Sequence, residues 1–287
     1  MQLNPQPEAG TNKRRLTDRN FVMFWSEPIT PQHIGIYTKG GRVVNPIFGL
    51  APLIHTNLRG TCCIFREDMF DFSSDLLLQS RHLPTEQIEP ALARLNLPPL
   101  EHLQSRLFES TFRANDTDEF PKTVVVLSIA ADVEGMCFRN REHGFLLPDS
   151  AANYVDSIDR FEWFHAHFVP TRMTVEVFVE AFSRVVNILQ KDAGARVLAL
   201  NVPTISSGSR VHNYQFLEDH PGSRRLEFNL ALAEMSRRLD FAVVDIDRIA
   251  RKAGLKSHFD WNLLDPSCYY LVAQEAYRIM MDRNWLT

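Results

Sequence analysis

The stretch Arg224–Asp247, RRLEFNLALAEMSRRLDFAVVDID, restricts the fold more than any other part of the chain. Phe228, Leu232, Met235 and Leu239 recur at i, i+4, i+7 and i+11, which is one face of a helix, and Glu234, Arg237 and Arg238 fall off that stripe. A short apolar run from Phe241 follows, with the acids Asp245 and Asp247 at its end. A helix that feeds a buried strand is half of a parallel βαβ unit. In sheets built from such units, ligands and chemistry gather at the carboxyl ends of the strands.

The same alternation extends in both directions. Lys122–Ala130, KTVVVLSIA, is apolar on both faces, as a central parallel strand is. Thr174 is placed to cap a helix whose stripe is Val175, Phe178, Phe182, Val185 and Leu189, with Gly194 at its end. Arg196–Val202 is the next strand. Pro266 suits the first turn of a last helix, and Asp265 before it suits its N-cap. Earlier in the chain, Asn20–Trp25 (NFVMFW) reads as the first buried strand, ending at Ser26, and Thr61–Phe65 as the second. Residues 68–121 read as a peripheral helical insertion, with helices at Glu86–Leu95 and Leu100–Phe108 parted by Pro98 and Pro99. Residues 1–18 are polar and read as a mobile arm. The pattern predicts an α/β fold: a three-layer, flavodoxin-like parallel sheet in a single domain over residues 19–287, with residues 68–121 inserted.

Bulk properties exclude several functions. The chain has 287 residues, is 45% hydrophobic and 23% charged, and carries a formal net charge of -4. No basic stripe marks a nucleic-acid protein. No apolar run has the length of a membrane span, and the polar start has no secretory h-region. Cys62, Cys63, Cys137 and Cys268 have no metal-ligand spacing, and the expectation is reduced thiols in a cytoplasmic protein. Neither standard glycine-rich phosphate loop is present, so no cofactor is expected.

Several segments resemble blocks of the SGNH/GDSL hydrolase superfamily. Val22–Thr30, VMFWSEPIT, is similar to its strand-Gly-Asp-Ser block, with Trp25-Ser26-Glu27 where Gly-Asp-Ser is usual. Val124–Asp132, VVVLSIAAD, resembles the strand that ends in Gly-x-Asn-Asp. Arg196–Thr204, RVLALNVPT, is similar to the next strand, and the Arg224–Asp247 stretch to the helix and strand after it. Asn262–Ala276 resembles the late Asp-x-x-His-Pro segment, with Asn262 in place of Asp and Asp265 in place of His. Val43–Pro52, VVNPIFGLAP, is similar to the Asn-Pro-Phe-Gly run of the GSCFA branch. The resemblance implies a serine esterase or O-acyltransferase acting on an acyl ester, with a carbohydrate as one candidate carrier, Ser26 as nucleophile and substrate contacts at Asn45 and Gly49.

The replaced late pair leaves the base open. His143, His165, His167 and His258 are the candidates, since the segment after Ala130 leaves the carboxyl end of a central strand. Asp132, at that strand end, joins the candidate catalytic set. His165 and His167 at i, i+2 would share one face of an extended segment, the spacing of a metal pair, although packing among aromatics accounts for them more simply. Ser207 and Arg210 lie in a polar loop whose donors suit an anionic or sugar ligand. The second reading, from a different class, is a catalytically inactive module of the same fold that binds a small ligand or a partner protein; the third is a metal-dependent enzyme using the His-x-His segment. No nucleic-acid or membrane partner is expected.

Overall fold

The computed structural model describes residues 21–23, 34–39, 44, 47–48, 62–67, 72–98, 103–113, 119–204, 221–254, 258–260 and 263–286. In chain order these give β1 (Phe21–Met23), β2 (Ile34–Lys39), β3 (Cys62–Glu67), α1 (Ser74–Ser80), α2 (Thr85–Leu95), β4 (Thr111–Arg113), β5 (Glu119–Pro121) and β6 (Val124–Ser128). Then come α3 (Ala130–Glu134), β7 (Met136–Asn140), β8 (Leu146–Pro148), a 3-10 turn (Asp149–Tyr154), α4 (Ile158–His167) and β9 (Phe168–Arg172). The last part holds α5 (Val175–Lys191), β10 (Arg196–Leu200), α6 (Pro221–Leu239), β11 (Ala242–Val244), α7 (Ile246–Ala253), β12 (His258–Asp260), β13 (Leu263–Leu264) and α8 (Pro266–Asp282).

The main sheet has the order β1-β3-β2-β6-β10-β11. β3, β2, β6, β10 and β11 are mutually parallel, and β1 pairs antiparallel to β3 at the edge. Numbering only the parallel strands by sequence gives 2-1-3-4-5, the flavodoxin-like order, with its switch point between β2 and β6. The crossovers need helices on both faces, and the burial pattern records it. Every residue of β6 is buried. Val125 and Leu127 point into one core with Leu76, Leu92, Phe178, Phe182, Phe228 and Leu232; Val124 and Val126 point into the other with Ala250, Val272, Ala276 and Met280. α1, α2, α5 and α6 therefore cover one face, and α7 and α8 the other. The three-layer α/β fold is the one the sequence predicts.

Two expectations need correction. The described part of residues 68–121 is not peripheral. Leu76, Leu77, Ile88, Leu92 and Leu95 are at most 6% exposed and belong to the same core as the central strand. The stripe Ile88, Leu92, Leu95 has the spacing of any buried helix face, and it docks on the sheet side. Residues 103–110 form turns rather than a helix. The buried ammonium of Lys122 organises them, donating to the carbonyls of Arg106, Leu107 and Glu109 while lying 4.3 Å from the centre of the Tyr37 ring. The segment after β6 folds into α3, the small sheet β8-β7-β9 and α4. Residues 1–18 lie outside the described residues. No helix among the described residues is long and apolar enough to cross a membrane.

Candidate functional site

The direction of α8 locates the edge of the sheet where a site would form. Arg196 opens β10, and its Nη1 donates to the carbonyl of Trp285 at 3.1 Å, just beyond the end of α8. The end of α8 is thus fixed at the amino edge of the parallel strands. At 17 residues α8 runs about 25 Å, so its start, and the β12–β13 hairpin before it, lie at the carboxyl edge. His258 opens that hairpin and pairs with Leu264. Asp265 closes it as the N-cap of α8, its Oδ1 accepting from Ser267 N at 2.7 Å and Cys268 N at 3.0 Å.

At the switch point, the carboxyl ends of β2 and β6 are joined by a closed polar cluster. Lys39 ends β2, is 2% exposed, and donates from Nζ to the carbonyl of Phe72. Asp132, in α3 just past β6, is 1% exposed and accepts from Ser74 N at 2.6 Å, at the start of α1. Ser73 Oγ donates to Asp75 and lies 3.4 Å from Cys137 Sγ. Burial pushes the Asp132 carboxyl up to about 6, against the pull of the Lys39 charge and the Ser74 N–H. The cluster knits β2, α1 and α3 together. Asp132 stands where the sequence placed a candidate catalytic acid, at a strand end, but it is enclosed and engaged in holding α1.

A second polar network joins the ends of β10 and β11. Asn201 Oδ1 accepts from Ile246 N at 2.6 Å, and its Nδ2 donates to Asp245 Oδ1 at 2.9 Å. Asp245 is the N-cap of α7, accepting from Arg248 N at 3.0 Å. Asp247 Oδ1 accepts from Thr204 N at 2.6 Å and from Thr204 Oγ1 at 2.7 Å. Arg251 closes a ring, donating from Nε to Asp247 Oδ2 at 2.9 Å and from Nη2 to Thr204 Oγ1 at 2.5 Å. Asn229 of α6 holds the Val202 backbone through both its N–H and its carbonyl. Arg224 of α6 spans to the carbonyls of Val133 and Met173, each at 2.6 Å. Asn201, Thr204, Arg224 and Arg251 were not singled out in the sequence. The available signals were Asn201 and Thr204 directly after an apolar strand and the i, i+4 pair Asp247/Arg251 on a helix.

The sequence candidates separate. His165 and His167 sit in α4, not in an extended segment, so residues i, i+2 face roughly 200° apart instead of sharing a face. Ser157 caps that helix through its side chain, and Phe164 packs inward. His165 lies 4.2 Å from the Phe161 ring centre, and His167 stacks on Trp163 at 4.3 Å with Nδ1 2.8 Å from the Trp163 carbonyl. The geometric basis of a His-x-His metal pair is therefore lost, and no group of three or more metal-ligating side chains occurs among the described residues. His143 lies in an exposed turn whose amide donates to Asn140 Oδ1 at 2.8 Å. Among the described residues, no hydrogen bond joins Asp132, His143, His165 or His167 to one another. Ser26, Asn45, Gly49, Ser207 and Arg210 lie outside the described residues. The strand read as leading into Ser26 from the parallel set is instead the antiparallel edge strand β1. An all-apolar run carries no mark of direction, and the first parallel strand is β2.

No family model and no curated protein sequence matches the chain. Among solved structures, the chain is similar to an acetyl xylan esterase, at 13% identity and a TM-score of 0.48, over 86% of this chain and 99% of that one. It is similar also to a lipase/acylhydrolase from Enterococcus faecalis, at 12% identity and a TM-score of 0.48, over 87% of this chain and 96% of that one. At these identities and scores the likenesses carry no argument about activity.

Proposed function

We propose that the chain is a divergent SGNH-like esterase or O-acyltransferase whose acyl ester binds at the carboxyl edge of the parallel strands. The observation that carries the reading is the placement of the hairpin of His258 at that edge, immediately before the last helix, on a sheet of order 2-1-3-4-5. In this reading Ser26 Oγ attacks the acyl carbon while His258 takes its proton; this requires the chain to turn back after β1, because β1 is antiparallel to β3 and its end points to the amino edge. The alcohol leaves with that proton, and water or an acceptor hydroxyl then removes the acyl group from the serine. His258 is preferred over His165 and His167, whose helix engages them with its own aromatic rings. A carbohydrate as the alcohol part of the ester belongs to the same proposal.

One observation favours a second reading, a non-catalytic module that binds a ligand or a partner protein. The switch-point strand β2 ends in Thr38 and a buried, bonded Lys39, and Asp265, in place of the late histidine, is a helix cap. Turnover of small aryl acetates separates the two. The esterase reading expects hydrolysis that falls at least about a hundredfold in both Ser26→Ala and His258→Gln, with folding retained. Absent turnover in the folded wild-type chain leaves the binding reading.

A further inference from the structure

Arg251 pairs with an acid four residues away but also donates to a buried strand-end residue, Thr204. Arg237 and Arg278 pair on exposed helix faces with acids three or four residues away. Arg224 and Arg225 are directed at backbone carbonyls and at Glu134. Arg251 is both braced and open. Its Nε is held by Asp247, and its Nη2 by Thr204, which is 5% exposed. The side chain is nevertheless 52% exposed. A guanidinium has five N–H donors, so three remain without a partner among the described residues.

Position and direction add to this. Thr204 follows β10, and α7 follows β11, so the brace stands at the carboxyl edge. Arg248 and Lys252 act electrostatically on Glu275 of α8, whereas Arg251 shares the face of Asp247 and is turned to the strand ends. Asp247 accepts from Thr204 on Oδ1 and from Arg251 Nε on Oδ2, so its carboxylate orients the fork.

We propose that Arg251 is an oxyanion subsite of the carboxyl edge, taking a carboxylate or phosphate group of the bound molecule through its outward N–H fork. The assignment rests on that edge being a ligand site, and it applies equally to an esterase and to a binding module. A braced, planar fork suits two-pronged contact with such a group, because little side-chain freedom remains to be lost on binding.

The test is a titration of the full chain with acetate and, separately, inorganic phosphate, followed by the arginine Nε–H resonances at constant ionic strength, with chloride as control. The expected result is a saturable shift of the Arg251 resonance with acetate or phosphate and none with chloride; the anion that saturates it first identifies the group. Arg251→Met should weaken that anion's binding about tenfold or more, and Arg251→Lys should do so nearly as much, since an ammonium has no fork. Arg251→Lys also serves if the methionine variant does not fold. A response that follows ionic strength alone, or equal binding by wild type and folded Arg251→Met or Arg251→Lys, overturns the proposal. Failure of the esterase reading would appear separately, as no ester turnover with anion binding retained.

Discussion

Arg196 Nη1 and the carbonyl of Trp285 are 3.1 Å apart and join residues 89 positions apart in sequence. Through this bond the amino end of a central strand holds the end of the last helix, and the other end of that helix is thereby set at the edge where a site would form. Arg196→Met should cost about 1–2 kcal/mol by chemical denaturation. It should also raise hydrogen exchange in the last turn of α8 more than in β6. Uniform exchange with unchanged stability would mean that packing alone, through Met280 and Trp285, orients the helix.

Asp132 gives a pH dependence opposite in sign to that of a paired surface carboxylate. Its folded pKa is raised from 3.8 to about 6, so the folded chain holds this proton more tightly than the unfolded one. The resulting stability is fully present below 3.8 and is lost as pH rises through 6. The stability of wild type relative to Asp132→Asn should therefore fall between pH 4 and pH 7, by up to about 3 kcal/mol. A difference that rises over this range would show that the Lys39 charge outweighs burial.

Asp265 stands where the family resemblance has a histidine, and its geometry is that of a cap. Asp265→Ala should cost about 1 kcal/mol, while Asp265→Ser should retain most of the stability. If the esterase reading holds, both variants should keep their turnover. A selective loss of turnover in Asp265→Ser would make the carboxylate part of the chemistry.

The stripe of α6 is the firmest link between sequence and fold. Phe228 is fully buried, with its ring centre 4.9 Å from that of Phe178. Phe228→Ala should destabilise by about 3–5 kcal/mol in denaturant unfolding.

What was legible in the sequence follows from what periodicity encodes. Phe228, Leu232 and Met235 announce a helix, Val124–Ser128 a strand buried on both faces, and Thr174 and Asp265 helix caps, because each is a local signal. Strand direction and order are not local. NFVMFW reads identically as a central parallel strand or as the antiparallel edge β1, and the role of Ile34–Lys39 as the first parallel strand emerges only from its partners β3 and β6. His165 and His167 were misplaced for a related reason: an aromatic-rich run such as FEWFHAH suits a strand, but the Ser157 cap starts a helix there. The network of Asn201, Thr204, Asp247 and Arg251 is formed between segments over 40 residues apart, and single polar residues at strand ends do not name their partners.

Acyl transfer by this chain requires an activated Ser26, returned to the carboxyl edge by a turn after β1. Incubation of the folded chain with a fluorophosphonate, followed by peptide mass analysis, tests it most directly. One stoichiometric adduct is expected on Ser26, absent in Ser26→Ala and much slower in His258→Gln. No adduct on the folded wild-type chain, or an adduct on another residue that persists in Ser26→Ala, would contradict it.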